Sequence, residues 1–285
     1  MNFNFEFGLW DWLLLATVSL MGTAIAYLHH PRWKAFVLAL PVPFTLASLS
    51  LGESVNATHA VGLLLLILYT HGVRLLFVKY QWPIVAAIAF AVAANAVCIA
   101  ALAPIVPGTE PVFWAALAVV FLFALALYQT MPHRIEPGHR TPLPLWIKVP
   151  IICSVVLGLI VCKKMMHGFM VMFPMVGIIA AYEARHSMWT ICRQVTSFTF
   201  CVVPMLALIH LTQPRVGLAK ALALGWVVYL LVLLPFTQAQ WRAARRHERK
   251  HGNHEGREGH EGRRRTKAEG HNRGTARDDK NDEVA

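Results

Sequence analysis

Residues 163–212 read KKMMHGFMVMFPMVGIIAAYEARHSMWTICRQVTSFTFCVVPMLALIHLT, and the fold turns on how this stretch is read. It places two adjacent lysines, Lys163 and Lys164, ahead of an apolar run interrupted by Pro174. The cluster Tyr182, Glu183, Arg185 and His186 follows, then Arg193 inside a second apolar run that contains Pro204. Polar groups set into apolar sequence at this density need partners, because an unpaired charge or amide is costly away from water. The stretch therefore predicts membrane segments with functional polar groups.

The rest of the chain supports a bilayer setting. Of 285 residues, 56% are hydrophobic and 14% charged, and the mean hydropathy is +0.51. That is too apolar, and too weakly charged at its surface, for a soluble domain of this length. Breaks at charges, prolines and glycines leave nine apolar runs near 9–28, 33–52, 57–78, 82–104, 111–130, 146–162, 165–183, 188–211 and 216–237, each close to the ~20 residues that a hydrocarbon core requires. The fold class expected is an all-α polytopic helix bundle.

The net charge of +11 does not mark a nucleic-acid binder. Residues 1–240 carry 13 Lys/Arg against 6 Asp/Glu, spread over loops, and residues 241–285 carry 13 against 9. Neither set forms the single basic face such binders use. Placed on the loops, the charges orient the chain, since basic loops stay on the cytoplasmic side. With the N-terminus outside, the inner loops hold Arg32, Lys34, Arg74, Lys79, Arg134, Arg140, Lys148 and Arg185, and the outer ones hold Lys163, Lys164, Arg215 and Lys220. This predicts a multi-pass inner-membrane (plasma-membrane) protein, N-terminus outside and C-terminus cytoplasmic. Nine crossings are the odd number this orientation needs.

The five cysteines lie in or beside apolar runs and none pairs at C-x-x-C spacing, so they read as small buried hydrophobes. From residue 241 the composition turns polar, with five histidines and the repeated triplets His254-Glu255-Gly256 and His260-Glu261-Gly262. Such a tail is expected to be disordered and to meet anionic headgroups through its basic start. No metal site is expected there, because no cysteines or packed fold fix a geometry.

The segment after His29-His30 can be laid on the segment after Lys163-Lys164. Each begins with a pair of cation-capable residues, reaches a proline about a dozen residues on (Pro41 and Pro174), and ends at a polar turn carrying an acid (Glu53 and Glu183). Residues 1–104 then form one four-span unit and 146–240 a second, with a connector span and basic loop over 105–145 and the tail over 241–285. Four spans and a connector invert the second unit relative to the first. Inverted repeats place substrate sites near the midplane, at interrupted helices. Proline supplies the interruption by removing a backbone donor and freeing a carbonyl.

Phe173-Pro174, Tyr182 eight residues after Pro174, Arg193 at the start of the next span and Pro204 within it give the second unit a pattern that resembles the GlpM-like family of small four-span inner-membrane proteins. The resemblance covers about residues 146–237, and the chain then looks like a duplicated, two-unit form. The first unit departs from the pattern, with Leu49 in place of Tyr182 and Ala60 near the place of Arg193. The resemblance implies an integral membrane protein and brings no reaction with it.

Substrate-binding candidates are Arg193, Ser197, Pro174 and Pro41. Arg193 keeps its charge at any relevant pH and, several residues inside a span, costs about 2.5 kcal/mol or more unless it meets a partner or a water-filled cavity. Gln194, Ser197 and Cys201, with Thr196 and Thr199, extend polarity along its helix. A pairing of Arg193 with Glu183 is the structural alternative. Glu183 and His186 stand three residues apart at one turn, where a salt bridge is expected before chemistry, and Asn95 is expected to bond between helices.

No G-x-S-x-G, H-E-x-x-H or P-loop pattern occurs, so no catalytic residue and no cofactor is expected and the chain does not read as an enzyme. The implied function is a permease or channel for a small, anionic solute, with the lipid bilayer as partner, no nucleic acid, and a homo-oligomer as an allowed assembly. The alternative is a non-transporting membrane scaffold or accessory protein whose basic tail contacts lipid or a cytoplasmic partner.

Overall fold

The computed structural model of the chain describes residues 8–131, 134, 136, 144–161 and 167–242. Lys163, Lys164 and the tail beyond residue 242, to which the sequence assigns an outer turn and a disordered segment, lie outside the described residues. Those that are described form helices and turns, with no strand among them.

In chain order the helices are α1 (Leu9–Tyr27), α2 (Pro31–Leu38), α3 (Val42–Leu51) and α4 (Ala57–Arg74). Helix α4 continues through a π-helical turn, Leu75–Lys79. Then come α5 (Ile84–Leu102), α6 (Glu110–Thr130) and α7 (Leu145–Val161). A 3₁₀ turn, His167–Met172, leads to α8 (Met175–Glu183). A second one, Arg185–Ser187, leads to α9 (Met188–Val216), and α10 (Leu218–Arg242) follows.

Seven of these helical stretches among the described residues are long and apolar enough to cross a membrane. They are α1, the α2–α3 pair taken as Arg32–Leu51, α4 with its π turn, α5, α6, α9 with its leading turn, and α10. In the two other apolar runs read from the sequence, near 146–162 and 165–183, the described residues form α7 and, in the second, the turn His167–Met172 and α8, each shorter than those seven. The chain divides into two compact units, Met1–Leu233 and Leu234–Ala285. The described residues of the second, 234–242, are helical.

The outward side chains are apolar: Val85, Phe90 and Val97 of α5, Val119 and Leu122 of α6, and Val227 and Leu231 of α10 are exposed. In water such continuous apolar surface would drive association, whereas hydrocarbon solvates it without cost. The chain is accordingly an all-helical, multi-pass integral membrane protein. Inside, glycines bring helices together, as membrane packing requires. A Cβ on Gly62 of α4 would lie 2.9 Å from the Met172 Cβ, and one on Gly22 of α1 would lie 2.7 Å from the Ile179 side chain.

Polar groups collect toward helix ends. The Asp11 side chain accepts from Gly8 N at 3.0 Å, at the start of α1, and also from the Ser50 hydroxyl near the end of α3. Gln213 bonds both backbone groups of Val55, accepting from its N at 2.8 Å and donating to its O at 2.9 Å. His210 stacks on Phe113 with ring centroids 3.9 Å apart. A separate set joins the C-terminal end of α4 to the start of α9, where the guanidinium groups of Arg74 and Arg134 lie 4.9 Å and 3.9 Å from the Trp189 ring. There the Glu136 carboxylate accepts from Trp189 N and Thr190 N at 3.1 Å and 2.7 Å, satisfying orphan donors at the N-terminus of α9.

Candidate functional site

The α2–α3 segment breaks at Leu40 because Pro41 and Pro43 cannot donate and the residue ahead of a proline avoids helical geometry. The carbonyls freed there find side chains instead. The fully buried Tyr229 of α10 donates its hydroxyl to Ala39 O. Pro41 O accepts from Thr45 N at 3.0 Å and from the Thr45 hydroxyl at 2.9 Å, and that hydroxyl accepts in turn from the Trp226 indole at 2.8 Å.

The second break lies between the turn His167–Met172 and α8, where Pro174 stands at the helix N-cap. Here the backbone largely closes on itself. Met175 N donates to Phe173 O at 2.7 Å, and Ile178 N donates to Pro174 O at 2.8 Å.

Pro41 and Pro174 line the same cavity of about 70 Å³. Its walls come from both breaks, from Leu66 and Thr70 of α4, and from Ile191, Gln194, Val195 and Phe198 of α9. The Thr70 hydroxyl is engaged within its own helix, donating to Leu66 O at 2.9 Å. The Gln194 amide has no hydrogen-bond partner among the described residues, so it is the polar side chain available to an occupant.

Arg193 and Ser197 are not among the residues lining this cavity. The Arg193 guanidinium lies over the Tyr128 ring of α6 at 5.1 Å and donates from Nη2 to the Tyr128 hydroxyl at 3.3 Å. Its Nε and Nη1 are buried without a partner among the described residues. The Ser197 hydroxyl donates to Arg193 O at 2.9 Å, and Thr196 and Thr199 also bond the carbonyls four residues back. The polar flank read from the sequence is thus largely self-satisfied along its own helix. Pro204 lies inside α9, which continues through it.

The charges of the opening stretch form a different constellation. Glu183 pairs with Lys148 of α7 at 3.0 Å, and Lys34 of α2 donates to Glu183 O at 2.9 Å. All three are almost fully enclosed, at 2% exposure for Lys34, 5% for Lys148 and 3% for Glu183. Lys34 thereby meets a carbonyl at the C-terminal end of α8, where the helix dipole favours a cation. The cluster ties the start of the first broken segment to the end of the second. Sequence reasoning placed Lys34, Lys148 and Arg185 on one side of the bilayer but did not join them to Glu183, because nothing local links positions 34, 148 and 183.

Asn95 is buried, and its side-chain oxygen has no partner among the described residues. Gln194 was visible only as a neighbour of Arg193. Its distinguishing signal is helix phase, since one residue turns the side chain by about 100° onto the face that meets the breaks.

The chain matches no protein-family model, and no curated protein or solved structure matches it.

Proposed function

We propose that the chain is a nine-pass carrier or channel for a small anion, built as two inverted four-span units around a connector, with the N-terminus outside and the C-terminus cytoplasmic. The observation that carries this reading is the meeting of the two helix breaks, one from each unit, in one cavity beside the unpartnered amide of Gln194. Interrupted helices that meet between inverted repeats present backbone groups to a solute. A cavity of about 70 Å³ has room for a few water-sized groups, since one water needs roughly 10–15 Å³ on this measure. The solute is therefore a small ion or oxyanion. Arg193, one residue from Gln194 and with two unpartnered nitrogens, supplies the positive potential that selects for negative charge. The packing of α4 against the His167–Met172 turn and of α9 against α2 fits the exchange of partners expected of an inverted pair. The GlpM-like pattern of the second unit belongs to the same proposal.

The test is flux of chloride, nitrate and phosphate into liposomes holding the purified chain. Gln194→Ala is expected to lower flux about tenfold, the effect of losing roughly 1.4 kcal/mol at the site. Arg193→Ala is expected to shift selectivity away from anions. Flux that neither substitution changes would remove both residues from the path. No flux by the wild-type chain would return it to the scaffold reading.

A further inference from the structure

A second and larger cavity, about 640 Å³, lies between α5, α7 and α8. This falls within the ~300–1,000 Å³ of sites that enclose organic ligands. Its walls are mostly apolar, with Val85, Ile88 and Val92 on α5 and Ile152, Val155 and Gly158 on α7. Val85 and Ile151, which also line it, are exposed. The cavity therefore meets the apolar surface that bilayer chains cover.

The polar residues Lys148, Tyr182 and Glu183 also line this cavity. One oxygen of the Glu183 carboxylate takes Lys148 at 3.0 Å. The other, Oε2, is buried with no hydrogen-bond partner among the described residues. A buried carboxylate oxygen without a donor is a costly vacancy, and it selects a ligand by what it lacks. An ammonium head would donate, but Lys34 and Lys148 hold the same site with like charge and Arg185 lies beside it, donating to Tyr182 O at 3.2 Å. A phosphodiester head, although these cations would attract it, has no proton to give and would leave Oε2 without a donor. A hydroxyl both donates to the carboxylate and carries no charge, and its own oxygen can accept from an ammonium.

We propose that this cleft is a binding site for a neutral long-chain lipid alcohol of the diacylglycerol or polyprenol type, its chain along α5 and α7 and its hydroxyl donated to Glu183. The site is separate from the cavity between the helix breaks, and it stands whether or not the chain carries ions. Gly158 offers a clean way to close it, because a Cβ added there meets nothing within 4 Å. A larger side chain at that position fills the cleft without displacing a neighbour.

The test uses the full chain in phosphatidylcholine vesicles doped with a photoreactive diacylglycerol or a photoreactive polyprenol, with the labelled peptides read by mass spectrometry. Labelling is expected within residues 84–92 and 151–158, competed by the unlabelled alcohol and not by its acetate ester or by phosphatidate. Gly158→Leu is expected to lower labelling about tenfold, as a blocked site does, while the elution profile and thermal midpoint in detergent remain those of the wild-type chain. Labelling that is equal for alcohol, ester and phosphatidate, or that Gly158→Leu leaves unchanged, would identify ordinary boundary lipid and overturn the proposal. So would the absence of labelling by both alcohols.

Discussion

In the first broken segment, Arg32–Leu51, the gap at Pro41 is closed by side chains from elsewhere: Tyr229 on Ala39 O, Thr45 on Pro41 O, and Trp226 on Thr45. In the second, His167–Glu183, the gap at Pro174 is closed by the local backbone, and the segment is held by a glycine contact with α4 and by a buried ion pair at its far end. The same device is thus stabilised by hydrogen bonds in one place and by packing and charge in the other. A proline break needs only that its freed carbonyls and exposed helix ends be satisfied; how they are satisfied is left to whichever neighbours the tertiary packing supplies.

Substitutions that remove each kind of support separate the two. Lys148→Met should have the largest effect, about 3–5 kcal/mol, because it strands a buried carboxylate. Adding Glu183→Leu to that variant should recover most of the loss. Unfolding by steric trapping in bicelles measures both, and a double variant no more stable than Lys148→Met alone would show that the pair is not the lock on the second segment.

Gly62→Val should follow, at about 1–3 kcal/mol, since its first added carbon already falls 2.9 Å from the Met172 Cβ. The same measurement reads it, and the added loss of stability should be seen in the second segment, as faster cysteine labelling at position 173 after Phe173→Cys. Equal labelling with and without the valine would mean that α4 does not hold the turn His167–Met172.

Tyr229→Phe should be the mildest, costing about 0.6–1.7 kcal/mol for one interhelical hydrogen bond. Its signature is local: amide exchange should quicken around residues 39–41 and stay unchanged around 173–175. Faster exchange at both breaks would show that the two share one support.

Much of the architecture was legible because membrane solvation acts on each segment separately. Apolar runs of spanning length become helices wherever they occur, and prolines at positions 41 and 174 break them by local stereochemistry, so both breaks could be read from composition and spacing. The functional groups were less legible. Arg193 stood out as a charge in an apolar run, yet it meets Tyr128 of α6, while the neighbouring Gln194 reaches the cavity. The hydroxyls that made its flank look like a ligand surface bond their own helix. Glu183 was read with its nearest polar neighbours, His186 and Arg193, and its partner proved to be Lys148 from another helix.

What the amino-acid order determined by itself is that this chain crosses a membrane repeatedly, as helices, two of whose segments are interrupted by proline. Those outcomes follow from hydrophobic transfer and backbone geometry, which act within a few residues. Only the tertiary structure decided that Pro41 and Pro174 line one cavity, that Gln194 rather than its neighbour faces it, and that Lys34, Lys148 and Glu183 share a buried site. Each of these depends on which faces of different helices come together. That is set by close packing at glycines and by the pairing of buried polar groups across long stretches of chain.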